Sequence, residues 1–263
     1  MTGKAAARIG LAAMAWLLAA CGGSGEPAAI TADDAPSVKG RVVAALGSDG
    51  STGPFNAVSA QCAGDGMIAA LGLERMADVV NAAGESLEGD PARLFAQMTA
   101  EEATRALSAA EECLDLAGAV PAALRAFDFP DDVSDCVGGA LVEAGQGGPV
   151  ITAYLTGTDP TTDAGFAAAY LGALAGECAG ATSGLLRDDL VSRGVGTEGA
   201  GCVADAFLEA GNFPELLAVW LDLGEGSLDP AAADAQLNEM LTDCLTGEEL
   251  AMLGIEPADT TTP

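Results

Sequence analysis

The chain has 263 residues, enough for one or two domains, with 39 acidic residues against 10 basic ones, no histidine, 4% aromatic residues and 35 glycines. A net charge of −29 excludes nucleic acid as a partner, because phosphate recognition needs a basic footprint. The missing histidine excludes Ser-His-Asp, Cys-His and histidine-ligated metal chemistry, and so few aromatics leave no stacking platform for sugars or bases.

Residues 1–20 carry the marks of a signal peptide. Lys4 and Arg8 form a positive start, Ile9 to Leu18 an apolar run too short to span a bilayer, and Ala19 and Ala20 a small-residue cleavage site. The tetrad Leu18-Ala19-Ala20-Cys21 resembles the lipobox of bacterial lipoproteins. That resemblance implies that Cys21 becomes the first mature residue, diacylated on sulfur, and that the protein sits on the outer face of a membrane in the cell envelope. Each buried methylene contributes about 0.8 kcal/mol, so two or three acyl chains anchor where one would not. Cleavage removes Lys4 and Arg8 and no acid, leaving 8 basic against 39 acidic residues, or −31. Such a charge favours a soluble monomer and fits adaptation to salt or to low pH equally well.

Residues 21–55 read as a lipidated flexible tether, rich in Gly, Ser, Pro and Asp, with an end-to-end distance of roughly 30–35 Å. Val38 to Leu46 is the one stretch in it that suits a short ordered element.

Six cysteines follow, and an even number in an exported chain reads as disulfides. No CxxC occurs and there is no histidine, so a metal cluster is a poor alternative. Cys136 and Cys178 are 42 residues apart, as are Cys202 and Cys244, while Cys62 and Cys113 are 51 apart. A shift of 66 residues aligns 136–178 with 202–244 without a gap, matching Cys136-Val137 to Cys202-Val203 and Glu143-Ala144-Gly145 to Glu209-Ala210-Gly211. Residues 62–113 form a more distant copy with roughly nine extra residues. The expected fold is all-α: three disulfide-stapled helical repeats over 56–127, 128–195 and 196–250, then a disordered tail over 251–263.

The periodicity within a repeat is helical. In 229–244, Ala233, Leu237, Met240, Leu241 and Cys244 fall on one stripe, and Asp229 with Pro230 can start the helix. Asp90-Pro91 gives the same start signal, and Thr99 with Glu102 spells a capping box. A helix from Cys202 should stop at Gly211, and Asn212-Phe213-Pro214 should open another through Leu223. Leu114 to Phe127 and Leu185 to Arg193 read as short linking helices, and glycines mostly as helix ends or linkers. In an antiparallel unit the two cysteines of a copy meet at one end, which favours Cys62–Cys113, Cys136–Cys178 and Cys202–Cys244. The rival scheme joins Cys113–Cys136, Cys178–Cys202 and Cys62–Cys244. A closed loop of 42 residues is worth about 4 kcal/mol in the entropic account.

Candidate sites are few. Acidic pairs recur at Glu101-Glu102, Glu111-Glu112, Asp131-Asp132 with Asp135, Asp188-Asp189 and Glu248-Glu249, and read as solvated faces or helix-start charges rather than as a calcium or catalytic site. Asp159 to Gly165 has a misplaced glycine and no closing glutamate for a calcium loop, and reads as a helix cap. Trp220 lies in a leucine-rich stretch and reads as core, and Glu143 to Gly145 as a helix stop.

The expectation for function is therefore a membrane-anchored extracytoplasmic lipoprotein acting as an acidic interaction or scaffold module for a basic or envelope protein partner. The alternative is a small-ligand carrier with a pocket between helices. A carboxylate-dependent hydrolase ranks last, and neither an enzymatic activity nor a metal or other cofactor is expected. The mature part is similar only in general make-up to helical, cysteine-paired bacterial lipoproteins, a likeness that carries no residue or activity.

Overall fold

The computed structural model describes residues 30–31, 34–47, 53–84, 87–214, 216 and 230–255. The signal peptide, Cys21, the stretch from 217 to Asp229 with Trp220, and the tail from 256 lie outside them. All regular structure among the described residues is helical: thirteen α-helices and one 3-10 turn, with no strand. In chain order these are α1 (Ala35–Leu46), α2 (Ala57–Leu71), α3 (Leu73–Ala83), α4 (Pro91–Phe95), α5 (Ala100–Glu111), α6 (Leu116–Ala126) and α7 (Asp131–Glu143). Then come α8 (Gly147–Thr156), the 3-10 turn Pro160–Thr162, α9 (Ala164–Ala175), α10 (Ala179–Ser192), α11 (Thr197–Glu209), α12 (Pro230–Cys244) and α13 (Gly247–Met252).

Three disulfides join Cys62 to Cys113, Cys136 to Cys178 and Cys202 to Cys244, each within its own copy. The chain divides into two compact units, and the boundary between Phe166 and Ala167 falls inside α9. It cuts through the span expected for the second repeat instead of separating one repeat from the next.

In the first unit α1 corrects the expected tether. Val38, Val42, Ala45 and Leu46 are buried on one face of α1, which packs on α2, α3 and α4. Asp34 starts the helix by accepting from the Ser37 amide at 3.3 Å and from its hydroxyl at 2.6 Å, and Pro36 occupies the first turn. The spacing i, i+4, i+7, i+8 is the same stripe that marks α12 in the sequence. Residues 35–46 therefore belong to the folded body. Around them, Phe55, Met67, Met76, Leu94, Leu141 and Ile151 are fully buried. The Cys62 helix α2 packs most closely on α5, which leads into Cys113. Arg75 of α3 grips the start of α5, reaching both oxygens of Glu102 at 2.8 and 3.0 Å and the Gln97 carbonyl at 3.0 Å. Glu102 also accepts from the Thr99 amide at 2.8 Å, completing the expected capping box.

In the second unit α10 packs on α11, and α11 on α12. The buried layer includes Leu174, Leu186, Leu190, Val203, Phe207, Leu237 and Leu241. Glu249 fastens α13 to α11 by accepting from the Thr246 and Gly196 amides at 2.8 Å each. Residues 251–255 continue this element: the helix runs to Met252 and closes with the Ile255 amide donating to the Leu250 carbonyl at 2.9 Å. Residues 251–255 are thus not part of a disordered tail.

Two further expectations change. The linking helix begins at Ala179, not Leu185, because Gly180 and Gly184 sit inside α10 without breaking it. α11 ends at Glu209, and Ala210 turns extended at φ −65°, ψ 125°, so the chain leaves the helix before Gly211. Gly145, its counterpart, does end its helix in the left-handed region at φ 72°.

The repeat also reaches further upstream than the sequence match. Sixty-six residues apart, α6 leads into α7 and α10 into α11, with each pair closely packed. The turns between them are the same. Asp128 at φ 64° stands where Gly194 has φ 97°. The Phe129 amide donates to the Leu124 carbonyl at 3.3 Å, and the Val195 amide to the Leu190 carbonyl at 3.1 Å. This is one Schellman-type ending written in two nearly unrelated sequences.

Candidate functional site

A groove of about 600 Å³ lies in the first unit, between the start of α2 and the α5–α6 corner. Its geometry follows from two local devices. At the start of α2, Asn56 accepts from the Val58 and Ser59 amides at 2.9 and 3.0 Å, while the Ser59 hydroxyl accepts from the Asn56 amide at 2.9 Å. This reciprocal cap fixes the first turn and leaves Val58 80% exposed, the most exposed large apolar side chain among the described residues. One turn on, Cys62 bonds to Cys113, which brings the end of α5 beside that first turn.

The lining is apolar in Pro54, Phe55, Val58, Leu114, Ala119 and Ala122, with the disulfide at one side. Gly53 closes an end against α8, where a Cβ would come within 3.0 Å of the Tyr154 ring. The polar caps Asn56 and Ser59 are already satisfied. Glu112 and Asp115 are different. Asp115 stands at the N-cap of α6 without a side-chain cap bond, and neither carboxylate makes a hydrogen bond or ion pair among the described residues. Glu112 sits at the C-terminal end of α5, where the helix dipole favours a cation over an anion. Beside it, Glu111 is half-buried, and desolvation pushes its carboxyl above the usual range against a hydrogen bond from Thr152.

The other acidic pairs do local work. Arg75 holds the Glu102 carboxyl at about 2, well below its ordinary 4.5, with help from the Thr99 amide. Amides of Thr246 and Gly196 lower that of Glu249. Asp131 and Asp135 both take the Arg125 guanidinium, the former at 2.7 Å, and Arg187 and Arg193 meet Asp188 at 3.5 Å and Asp189 at 2.9 Å. Asp159 caps the 3-10 turn through the Thr161 amide at 2.9 Å, and Asp163 caps α9 through the Phe166 amide at 2.8 Å, so 159–165 is a pair of caps. No group of three or more Cys, Asp or Glu among the described residues is placed to hold a metal ion.

The cations are spoken for. Lys39 meets Asp65 at 2.7 Å, Arg41 donates to the Gly84 carbonyl and Arg105 to that of Ala70 at 3.2 Å. With Arg75, Arg125, Arg187 and Arg193 already placed and Arg93 also partnered, every basic side chain among the described residues is engaged. The aromatic rings pair edge to face within the packing, Phe127 with Tyr154 at 6.4 Å and Phe207 with Phe213 at 6.3 Å. Burial raises the Tyr170 hydroxyl.

The groove was not legible in the sequence. Its halves, 53–62 and 112–122, are far apart in the chain and meet through a disulfide. One available signal was a glutamate pair at the end of a helix, next to a cysteine. No known protein family, curated protein or solved structure matches the chain.

Proposed function

We propose that this protein is an extracytoplasmic lipoprotein, anchored through diacylated Cys21, that serves as an acidic interaction module for a basic partner in the cell envelope. Three disulfides suit an oxidising compartment, and no helix among the described residues is long and apolar enough to cross a membrane. Attachment would then come from lipid, on the cysteine that closes the lipobox-like Leu18-Ala19-Ala20-Cys21. The observation that carries the interaction reading is the imbalance of pairing: the basic side chains are used internally, while acids such as Glu112 and Asp115 stay open to solvent. A surface of this kind attracts cationic partners and repels like copies.

Two measurements test the two halves of the proposal. Detergent partitioning should send the wild type to the detergent phase and Cys21→Ala to the aqueous phase; equal partitioning overturns the anchor. Capture of envelope proteins on the immobilised mature chain should fall steeply with ionic strength; capture that ignores salt overturns the acidic module. The groove volume also lies in the range of small-ligand sites, which supports a carrier as the second reading. Native mass spectrometry of the purified protein would reveal a retained metabolite or lipid, and its absence counts against the carrier.

A further inference from the structure

We propose that the groove beside the Cys62–Cys113 disulfide is the docking site for a cationic amphipathic segment of a partner polypeptide, one that sets an aliphatic side chain against Val58 and a lysine or arginine between Glu112 and Asp115. The inference rests on the acidic-module reading and assigns it a place. Three independent features converge there. The groove has room for a few side chains, at about 600 Å³. Its lip carries an exposed valine that a rigid capping box holds in water. Its rim carries two carboxylates three positions apart, neither of them paired.

The charge arrangement selects the occupant. Glu112 lies at the carbonyl end of α5, so its charge and the helix dipole add to a negative potential that a cation relieves. No arginine or lysine lines the groove. A second copy of this chain is disfavoured by a net charge of −29. A purely polar cation would leave Val58 and Leu114 wet, whereas an aliphatic neighbour on the same segment covers them.

Fluorescence anisotropy on the purified mature chain with Cys21→Ser tests the proposal. The probe is a short labelled peptide of lysine and leucine at helical spacing, run beside a lysine–serine peptide and a glutamate–leucine peptide at low and high salt. The wild type should bind the lysine–leucine peptide best and lose it at high salt. The double variant Glu112→Gln/Asp115→Asn should weaken binding about fivefold, and Val58→Ser by a similar factor. All three side chains are outside the core and make no bond that holds the fold, and far-UV circular dichroism checks this for each variant. The control Glu198→Gln/Glu209→Gln removes the same charge from exposed positions on α11 and should leave affinity unchanged. If the wild type binds but groove and control variants behave alike, or if lysine–serine binds as well as lysine–leucine, the groove assignment falls and the acidic-module reading survives. If the wild type binds no cationic peptide at low salt, both fall.

Discussion

Gly138 and Gly139 are neighbours on α7, and replacing each with alanine should affect stability differently, with Gly139→Ala the more stable variant. Both substitutions receive the same helix-propensity gain, about 1 kcal/mol for Gly to Ala in a helix interior. A Cβ on Gly139 meets nothing within 4 Å, so Gly139→Ala keeps that gain. A Cβ on Gly138 would lie 2.8 Å from Pro121 Cγ, 2.9 Å from its nitrogen and 3.0 Å from its Cα. Carbon atoms prefer about 3.5–4.0 Å, so the two helices must part by roughly half an ångström or more. Pro121 cannot yield by rotating a side chain, because two of the three atoms are backbone and the third is in the ring. Overpacking of this kind costs about 1–3 kcal/mol. Subtracting one variant from the other cancels propensity and leaves the crossing alone, so Gly138→Ala should fall about 1–3 kcal/mol below Gly139→Ala. Urea unfolding followed by far-UV circular dichroism gives the midpoints, and hydrogen exchange on α6 and α7 localises the loss. The third copy supplies a natural counterpart: Ala204 stands 66 residues on, buried, where α10 offers Arg187 in place of the proline. A Gly138→Ala midpoint equal to that of Gly139→Ala would refute the close crossing.

Removing the Cys202–Cys244 bridge with a Cys202→Ser/Cys244→Ser pair opens a loop of 42 residues and should cost about 4 kcal/mol, read as an earlier urea transition of the second unit; an unchanged transition would remove the staple from the energetics. Acid should weaken the start of α5. The Glu102 carboxyl is held at about 2, so its contribution is complete above its ordinary value of 4.5 and fades as pH falls toward 2. A pH titration of stability should therefore be flatter below pH 5 for Glu102→Gln, and parallel curves would contradict the Arg75–Glu102 pairing. Gly194→Ala should cost about 1–2 kcal/mol, since φ 97° is left-handed and Met252 Sδ would lie 3.2 Å from the new Cβ; Asp128→Gly should gain less than about 1 kcal/mol, because the extra freedom of glycine in the unfolded chain offsets the relief.

Helix starts and cysteine pairs could be read from the sequence because each is a local or a counted signal. Asp90-Pro91 and Thr99 with Glu102 act within a single turn, and the structure places both as caps. Cysteine spacing is arithmetic, and a repeated unit that closes on itself leaves few sensible partners. α1 carried its own signal in Val38, Val42, Ala45 and Leu46, but the Gly, Ser and Asp clusters around it gave the whole segment the composition of a linker. Composition averages over a window, while burial depends on one stripe. The glycines misled for a related reason. A glycine ends a helix where the chain turns left-handed, as at Gly194; Gly138 and Gly66 lie inside helices at places where a Cβ would crowd a neighbouring backbone, Pro121 for one and the Ala109 carbonyl, 3.2 Å from that Cβ, for the other. No single-sequence pattern separates these two uses.

The acidic pairs carry the same lesson into function. By type they are indistinguishable: Glu101-Glu102, Glu111-Glu112 and Glu248-Glu249 each place two carboxylates side by side. What separates them is the end of the helix they occupy. Glu102 and Glu249 sit at helix starts, where amides and an arginine absorb the charge locally and depress the carboxyls. Glu111 and Glu112 sit at a helix end, where the dipole opposes them, and the chain resolves the two differently. Glu111 turns inward and its carboxyl is pushed up by burial, while Glu112 stays out on the rim of the groove. The acidic-module proposal rests on this asymmetry: the described cations are engaged within the chain, while the charge of Glu112, set against the dipole of its own helix, has no partner among the described residues.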